Sequence, residues 1–326
     1  MTIARRQFVA GALATGLFAS GCARPVGETI EDGLSYIDPP EFSPAGRFLA
    51  SLRRIEGEAD GTLGAELYEV GSARAVGLNR ERRFGHCSSF KLSLAAMVLA
   101  RDASGIETGD TRVTWSEADL MFVSPFTTAR LAEGASLFEL AEFTQRYSDN
   151  AAANILLRRL GGPGALTAFW RSIGDPVSRL DRYEPQLNDV PVTEYRDTTT
   201  PSAMARTVAT LVYGDVLPDA SRALLRQWMI DTPTGTRRVR AGLPESWVAG
   251  DKTGTSIWPG IRPIYADIGF VEPPDDEDFR SGPFTFATYF RPRLAIGDID
   301  PAAEATLARV GEVLSDFAEE PDKWPW

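Results

Sequence analysis

The amino-acid sequence predicts a mixed fold of helices and strands, of the α/β (α+β) class. Residues 63–70 alternate as a half-buried strand does. The middle of the chain instead repeats apolar residues at helical spacing, and strand patterns return in the last third. The chain therefore contains both strand and helix patterns, as a mixed fold requires.

Each element is predicted from its own stretch of sequence. The predicted helices are 48–55, 88–101, 136–160 and 301–317. The predicted strands are 63–70, 76–78, 247–250, 265–271 and 284–290, with an acidic turn at 273–278. The helix at 136–160 is expected to break near Tyr147. Residues 177–201 have little apolar periodicity, and a surface loop of that length is usually functional.

The first part of the chain is predicted to precede the folded domain. Residues 1–23 are typical of an export signal, because Arg5-Arg6 is followed by an apolar run too short to span a bilayer and by small residues. The paired arginines resemble a twin-arginine signal, and an ordinary secretory signal stays open as the alternative. Ser20-Gly21-Cys22 also resembles a lipoprotein cleavage box, so a membrane tether on Cys22 stays open too. Residues 24–42 are a predicted linker.

Composition excludes several classes of function. The formal net charge is −11 and acidic residues are spread along the chain, so nucleic acid would be repelled. His86 is the only histidine, and Cys22 and Cys87 are the only cysteines. These are too few for a His/Cys zinc site, and we expect neither a metal nor another cofactor. A Ser-His-Asp triad is also not expected, because His86 lies two residues before Ser88 and such a near neighbour seldom acts as its base.

Lysine is scarce in this chain. Of 34 lysine and arginine residues, only Lys91, Lys252 and Lys323 are lysine. A bias toward arginine codons accounts for the average, but two of the three lysines lie in short Ser/Thr/Gly-rich contexts. An amine can lose its proton in a protein, whereas a guanidinium cannot. Lys91 and Lys252 are therefore candidates for positions that need a neutral base or a compact cation.

Three short motifs carry the candidate chemistry. In Ser88-Ser89-Phe90-Lys91 the serine and the lysine are three apart, so on a helix the amine lies beside the hydroxyl. Apolar neighbours would desolvate that amine and lower its pKa toward the range of a base. Ser148-Asp149-Asn150 interrupts a helical pattern, and these residue types also favour a helix N-cap. Lys252-Thr253-Gly254-Thr255 follows a predicted strand, where a glycine lets a ligand approach the backbone closely.

In this order the three motifs are the set found in penicillin-recognising serine enzymes, and the chain resembles the class A serine β-lactamases. The longer similar stretches are 84–91, 117–125, 147–157, 182–188, 196–201, 240–244 and 250–255. The resemblance implies a β-lactamase/transpeptidase-like fold, in which 43–326 forms a single catalytic domain. An antiparallel five-stranded sheet with flanking helices would comprise about 43–80 and 232–326, and a helical part about 81–231. The active site would lie between the two parts.

The resemblance also implies a role for each candidate site residue. Ser88 is the expected nucleophile, with the backbone N–H groups of Ser88 and Thr255 as the oxyanion hole. Lys91 and Ser148 are the expected proton-transfer partners. The expected substrate-binding side chains are Asn150 for the acylamide group and, for the carboxylate, Lys252, Thr253, Thr255 and Arg238.

The loop around Glu184 separates the subfamilies. By the resemblance, Glu184 and Asn188 hold the water that hydrolyses the acyl-enzyme, without which the enzyme would stay acylated. Arg182 and Asp197 are the ion pair expected to pin this loop, and the Glu184–Pro185 bond is expected to be cis. The loop argues against a D,D-peptidase with the same three motifs. A penicillin-binding sensor would need a transmembrane segment or a partner domain, which we do not find in the sequence, and nothing in the sequence distinctly supports a serine-dependent glutaminase of the same fold family.

Two positions depart from the family pattern. Val123 stands where many relatives place an aromatic residue at the mouth of the cleft, and the adjacent Phe122 is the candidate that compensates. Cys87 resembles one half of a disulfide of some relatives, but Ser256 stands where its partner is expected. We therefore expect Cys87 to be a free, buried thiol.

The expected partners are small β-lactam substrates, without nucleic acid or an obligate protein partner. The resemblance implies a monomeric periplasmic enzyme of antibiotic resistance, which would contact a membrane only if Cys22 is lipidated.

Overall fold

A computed structural model describes residues 39–274, 282–320 and 322–324. From Pro39 onward the chain forms one compact unit. The predicted export signal with Cys22, most of the predicted linker and most of the acidic turn at 273–278 lie outside the described residues. Among the helices that are described, none is long and apolar enough to cross a membrane.

Five antiparallel strands form the central sheet, in the spatial order β2-β1-β5-β4-β3. The strands are β1 (Gly61–Glu69), β2 (Arg74–Leu78), β3 (Val248–Ser256), β4 (Ile264–Glu272) and β5 (Phe284–Pro292). Strands β4 and β5 are buried almost throughout, which explains their nearly continuous apolar runs. The predicted α/β (α+β) class with a five-stranded antiparallel sheet is confirmed.

Nine α-helices accompany the sheet within the described residues. They are α1 (Pro44–Glu58), α2 (Phe90–Ala103), α3 (Pro125–Ala129), α4 (Leu137–Tyr147), α5 (Asn150–Leu160), α6 (Pro163–Ser172), α7 (Pro201–Tyr213), α8 (Asp219–Ile230) and α9 (Pro301–Glu319). Helices α1 and α9 pack together against one face of the sheet, and α7 packs against β1 and β5. Side chains alternate across β1: Leu63 and Leu67 join the core formed with α1 and α9, whereas Tyr68 packs against the core of the helical part.

Helix α2 is the centre of the helical part. Its residues from Phe90 to Leu99 are buried without interruption, and α4, α5, α6 and α8 contact it. A helix that is buried on all sides needs small and apolar residues all round, as Leu-Ser-Leu-Ala-Ala-Met provides. The first turn of α2, which carries Lys91, is therefore held in place by the packing of the whole helix.

Two observations differ from the predicted elements, and one agrees with them. The pattern did not mark α6, α7 and α8 individually, because their apolar faces are interrupted by Thr, Ser and Arg. Strand β3 runs on through Lys252 to Ser256, beyond the predicted end at 250, since the buried polar residues of that stretch do not read as a strand. The predicted break near Tyr147 is confirmed, because Ser148 adopts a left-handed conformation with φ 60° between α4 and α5.

Candidate active site

Ser88 lies on a 3₁₀ turn, Cys87–Ser89, that leads directly into α2. One helical turn on, the Lys91 Nζ atom lies 2.9 Å from the Ser88 Oγ atom. Strand β3 closes over this turn at Gly254, where a Cβ atom would stand 2.8 Å from His86 O and 3.0 Å from Ser88 N. The sequence led us to expect a ligand at this glycine. The structure shows that the chain's own turn makes the close approach.

Lys91 is completely buried, and its amine contacts four other candidate residues of the site. Its Nζ atom donates to Ser148 O at 2.9 Å, to Ser148 Oγ at 3.3 Å and to Asn150 Oδ1. It also lies 3.3 Å from Glu184 Oε1. Burial lowers the pKa of Lys91, and the Glu184 carboxylate opposes that shift. The amine can therefore exchange a proton with Ser88, Ser148 or Glu184.

The Ser148 turn is held from behind by Asp149. The Asp149 carboxylate caps α5 by accepting from Ala152 N at 2.8 Å. It also accepts from the backbone N–H groups of Phe126 and Thr127, each at 3.0 Å. The motif thus is the helix cap that its residue types favour, while Ser148 projects toward Lys91.

Lys252 approaches Ser148 from the opposite side. The Lys252 Nζ atom lies 3.2 Å from Ser148 Oγ and donates to Thr253 O at 2.8 Å. Lys252 is also fully buried, and burial together with the nearby Lys91 ammonium lowers its pKa well below the ordinary value. The Ser148 hydroxyl therefore lies between two lysine amines.

The side chains that the sequence analysis expects to bind a carboxylate form two groups. Thr253 Oγ1 shares a 2.8 Å hydrogen bond with Thr234 Oγ1, a residue that the sequence analysis missed. Arg238 is buried, and it donates to Thr255 Oγ1 at 2.6 Å. Its other contacts are Gly254 O at 2.9 Å, Ala266 O at 2.8 Å and Glu304 Oε1 at 3.3 Å. Arg238 thus reaches this side of the site through the hydroxyl of Thr255.

The Glu184 loop forms another part of the site, to which Glu184 contributes a carboxylate. The Glu184–Pro185 bond is cis, as the resemblance predicts. Asn188 Nδ2 donates to Glu184 Oε2 at 2.7 Å. Arg182 Nε lies 2.5 Å from Asp197 Oδ2, and the other oxygen of Asp197 accepts from the backbone N–H of Arg182 at 2.9 Å. The structure therefore places all four loop residues in contact as two pairs.

Asn154 is the loop contact that the sequence analysis missed. It is buried on α5 and grips the backbone of Glu184 on both sides: its Nδ2 atom donates to Glu184 O at 2.8 Å, and its Oδ1 atom accepts from Glu184 N at 3.0 Å. The available signal was an asparagine one turn after Asn150 on an otherwise apolar helix face. Such a buried amide needs polar partners.

Two side-chain oxygen atoms of this loop are buried. Glu184 Oε1 and Asn188 Oδ1 accept no hydrogen bond from any residue that the structure describes, although the Lys91 ammonium lies within ion-pair distance of the former. Buried acceptors of this kind favour a ligand that donates two hydrogen bonds.

At the cleft mouth, Phe122 and Val123 are exposed and are tied to Asn150. Asn150 Nδ2 donates to Phe122 O at 3.0 Å, and Asn150 N donates to Val123 O at 2.8 Å. Val123 has a φ of 54°, which is strained for a β-branched residue. Since Asn150 Oδ1 also accepts from Lys91, both ends of the Asn150 amide have protein partners.

Cys87 and His86, which precede Ser88, are buried and have pKa values far from neutral pH. Cys87 is buried without a disulfide partner among the described residues, and burial raises the pKa of its thiol to about 12. Ser256, which stands where the partner cysteine was expected, donates to Asn188 O at 2.9 Å instead. The His86 ring stacks on Trp170 at 4.8 Å, and burial lowers its pKa to about 3. His86 is therefore part of the core.

Comparison with known proteins agrees with this geometry. A family model described as the β-lactamase enzyme family matches residues 48–318. The chain is 40% identical over 239 residues to β-lactamase OXY-2 of Klebsiella oxytoca, covering 73% of this chain and 79% of that protein. It is 41% identical over 257 residues to β-lactamase L2 of Stenotrophomonas maltophilia, covering 78% and 82%.

Solved structures give the same result. An ancestral class A β-lactamase aligns with a TM-score of 0.77 at 41% identity, covering 82% of this chain and 99% of that one. Sequence, fold and site geometry therefore agree that the chain belongs to the β-lactamase enzyme family, and within it to class A.

Proposed function

We propose that this enzyme hydrolyses the β-lactam amide through an acyl-enzyme on Ser88, which water activated by Glu184 then releases. The observation that carries the proposal is the position of Lys91. Its one buried amine lies within 2.9 Å of the Ser88 hydroxyl and within 3.3 Å of both Ser148 Oγ and Glu184 Oε1. A single proton carrier therefore connects the nucleophile, the leaving-group side and the hydrolytic side.

In the acylation step, the Ser88 Oγ atom attacks the lactam carbonyl while its proton passes to Lys91. The backbone N–H groups of Ser88 and Thr255 stabilise the negative charge on the carbonyl oxygen. The proton then reaches the ring nitrogen through Ser148, whose hydroxyl contacts both lysines. This breaks the C–N bond and leaves an ester on Ser88 and an amine on the opened ring.

Substrate binding uses the charge of the opposite wall. The Lys252 ammonium and the hydroxyls of Thr253 and Thr255 suit the carboxylate of the drug. Because the Thr255 oxygen accepts from Arg238, its own proton is free to be donated toward that carboxylate. Arg238 thus orients a donor, and Asn150 lines the acylamide side of the cleft.

In the deacylation step, a water held by Glu184 Oε1 and Asn188 Oδ1 attacks the ester. Glu184 takes the proton of the water, and the Ser88 oxygen regains a proton as it leaves. The products are the opened-ring acid and the free enzyme, which is ready for another turnover. Because each enzyme molecule would destroy many drug molecules in this way, it would give antibiotic resistance.

Steady-state turnover of a chromogenic cephalosporin tests this function. We expect many product molecules per enzyme molecule, and we expect the Ser88→Ala variant to be inactive although folded. One stoichiometric burst without further turnover would instead indicate a penicillin-binding sensor or a D,D-peptidase.

We further propose that the enzyme is exported to the periplasm as a monomer through the twin-arginine route. The support is the Arg5-Arg6 pair before a short apolar run. Replacing both arginines by lysine should leave active enzyme in the cytoplasmic fraction, and light scattering should give the mass of one chain. If Cys22 is labelled by a fatty acid in cells, the enzyme is attached to a membrane instead of being free in the periplasm.

A further inference from the structure

Gln145 links the helical part of the molecule to the sheet, directly behind two of the motifs. It lies in the last turn of α4, three residues before Ser148, and is completely buried. Its Nε2 atom donates to Asp251 O, the residue before Lys252, at 2.8 Å. The same atom donates to Thr232 Oγ1 at 3.1 Å. One amide group therefore joins the two chain segments that carry Ser148 and Lys252.

The orientation of this amide follows from the chemistry of its partners. Asp251 O is a carbonyl and can only accept. The Thr232 hydroxyl spends its proton on Trp228 O at 2.8 Å, so it too can only accept at Gln145. Both positions therefore require the NH₂ group, and a carbonyl or carboxylate oxygen in its place would face two acceptors.

The sheet end of this link is rigid. The Asp251 carboxylate is buried and paired with Arg240, whose Nε atom lies 2.6 Å from Asp251 Oδ2. Arg240 also donates to Thr232 O and to Ile230 O, the latter at 3.2 Å. Gly235 packs so closely on Asp251 that a Cβ atom there would stand 1.7 Å from the carboxylate. Strand β3 cannot shift here without breaking several buried contacts.

The Ser148 end is held within the helical part by Asp149, whose hydrogen bonds to Phe126, Thr127 and Ala152 do not reach β3. Ser148 lies in a left-handed turn between two helices, and its hydroxyl contacts Lys252 Nζ at 3.2 Å and Lys91 Nζ at 3.3 Å. Where α4 stands relative to β3 therefore decides the distance between the Ser148 hydroxyl and the Lys252 amine. The Gln145 hydrogen bond fixes that relation.

We propose that Gln145 is a positioning residue, which sets the separation of Ser148 and Lys252 for the proton transfer of the acylation step. This inference rests on the proposed function. Gln145 does not touch the substrate and acts only through these two side chains. Glu184 is held by Asn154 and Asn188 instead, so the deacylation step does not depend on Gln145.

Gln145→Leu removes the two donated hydrogen bonds at similar volume. A misplacement of about 1 Å in a catalytic group can cost about 10²-fold in rate. We expect the acylation rate constant in single-turnover stopped flow to fall by at least about 10-fold. The decay of the acyl-enzyme, followed by mass spectrometry, should stay within about 2-fold of wild type. Gln227→Leu, at an exposed glutamine of α8 whose side chain donates to Asp231, is the matched control and should change neither step.

Gln145→Glu supplies a second readout that loss of packing alone would not move. The carboxyl group can donate only while protonated, and burial raises its pKa. The acylation rate of this variant relative to wild type should therefore be highest at low pH and should fall as the pH rises, while the relative deacylation rate stays flat. This variant also tests the inference should the leucine variant not fold.

The outcomes separate this inference from the function on which it rests. Wild-type acylation in Gln145→Leu, equal losses in both steps, or a flat acylation ratio across pH in Gln145→Glu would overturn the positioning role alone. Failure of wild-type Ser88 to form any acyl-enzyme would overturn the proposed function, and the inference with it.

Discussion

The two halves of the active site are built in different ways. The acylation half, Ser88, Lys91 and Ser148, lies at the ends of helices, and local backbone structure brings Ser88 and Lys91 together. The deacylation half is a loop in which side chains, such as those of Asn154 and Asp197, hold Glu184 in place. Lys91 contacts both halves. Because the two halves are held by different contacts, we expect that trapping a β-lactam and releasing it can be changed separately.

The largest effect should come from the shared residue. Lys91→Arg keeps the charge but cannot deprotonate, so acylation should slow by about 10²-fold or more. Stopped-flow acylation measures this, with Lys323→Arg as a control for the same exchange elsewhere. Near-normal acylation by a folded Lys91→Arg variant would show that Lys91 does not accept the Ser88 proton.

A smaller and one-sided effect is expected at Asn154. Asn154→Ala leaves the backbone N–H and C=O of Glu184 without their partner, which should cost about 1–3 kcal/mol in the free energy of unfolding. The loosened Glu184 should deacylate about 10-fold more slowly, while acylation changes by less than about 3-fold. Urea unfolding and acyl-enzyme decay measure the two effects. Equal losses in both steps would contradict the separation of the two halves.

The smallest effect concerns stability. Burial lowers the pKa of His86 from 6.5 to about 3, so between these values the unfolded chain binds a proton that the folded one does not. The free energy of unfolding should therefore decrease as the pH is lowered below 6.5. This residue contributes at most about 1.4 kcal/mol per pH unit to that decrease.

His86→Phe keeps a ring against Trp170 and removes this titration. The variant should lose about 2 kcal/mol less stability than wild type between pH 6.5 and pH 4.5, as urea unfolding at the two pH values would show. Parallel losses in both proteins would place the acid sensitivity elsewhere.

The sequence predicted the acylation half better than the contacts that hold the site together. Ser88 and Lys91 lie three residues apart, so a helix alone brings them together. Asn154 and Glu184 are 30 residues apart, and Gln145 and Asp251 are 106 apart, so no local pattern announces these contacts. Arg238 was recognised as part of the site, but only the fold shows that it acts through Thr255.

The class of the fold was predicted correctly, but the end of one strand was missed for a similar reason. The nearly continuous apolar runs of β4 and β5 are a local signal that identified both strands. The end of β3 is made of polar residues that are buried only because the Ser88 turn and α8 cover them. Tertiary burial of polar residues leaves no periodic trace in a sequence.

The most direct test of the two-part site is the mass of Glu184→Gln after incubation with a penicillin. This change keeps the shape of the side chain and removes the base, so Ser88 should still be acylated while the ester persists. Glu194→Gln, at a carboxylate of the same loop that pairs with Arg196 on the surface, should turn over normally. We expect a mass increase of one whole drug molecule on the Ser88 peptide of Glu184→Gln, lasting long after wild type has returned to its free mass. Turnover at the wild-type rate without an adduct would contradict this expectation.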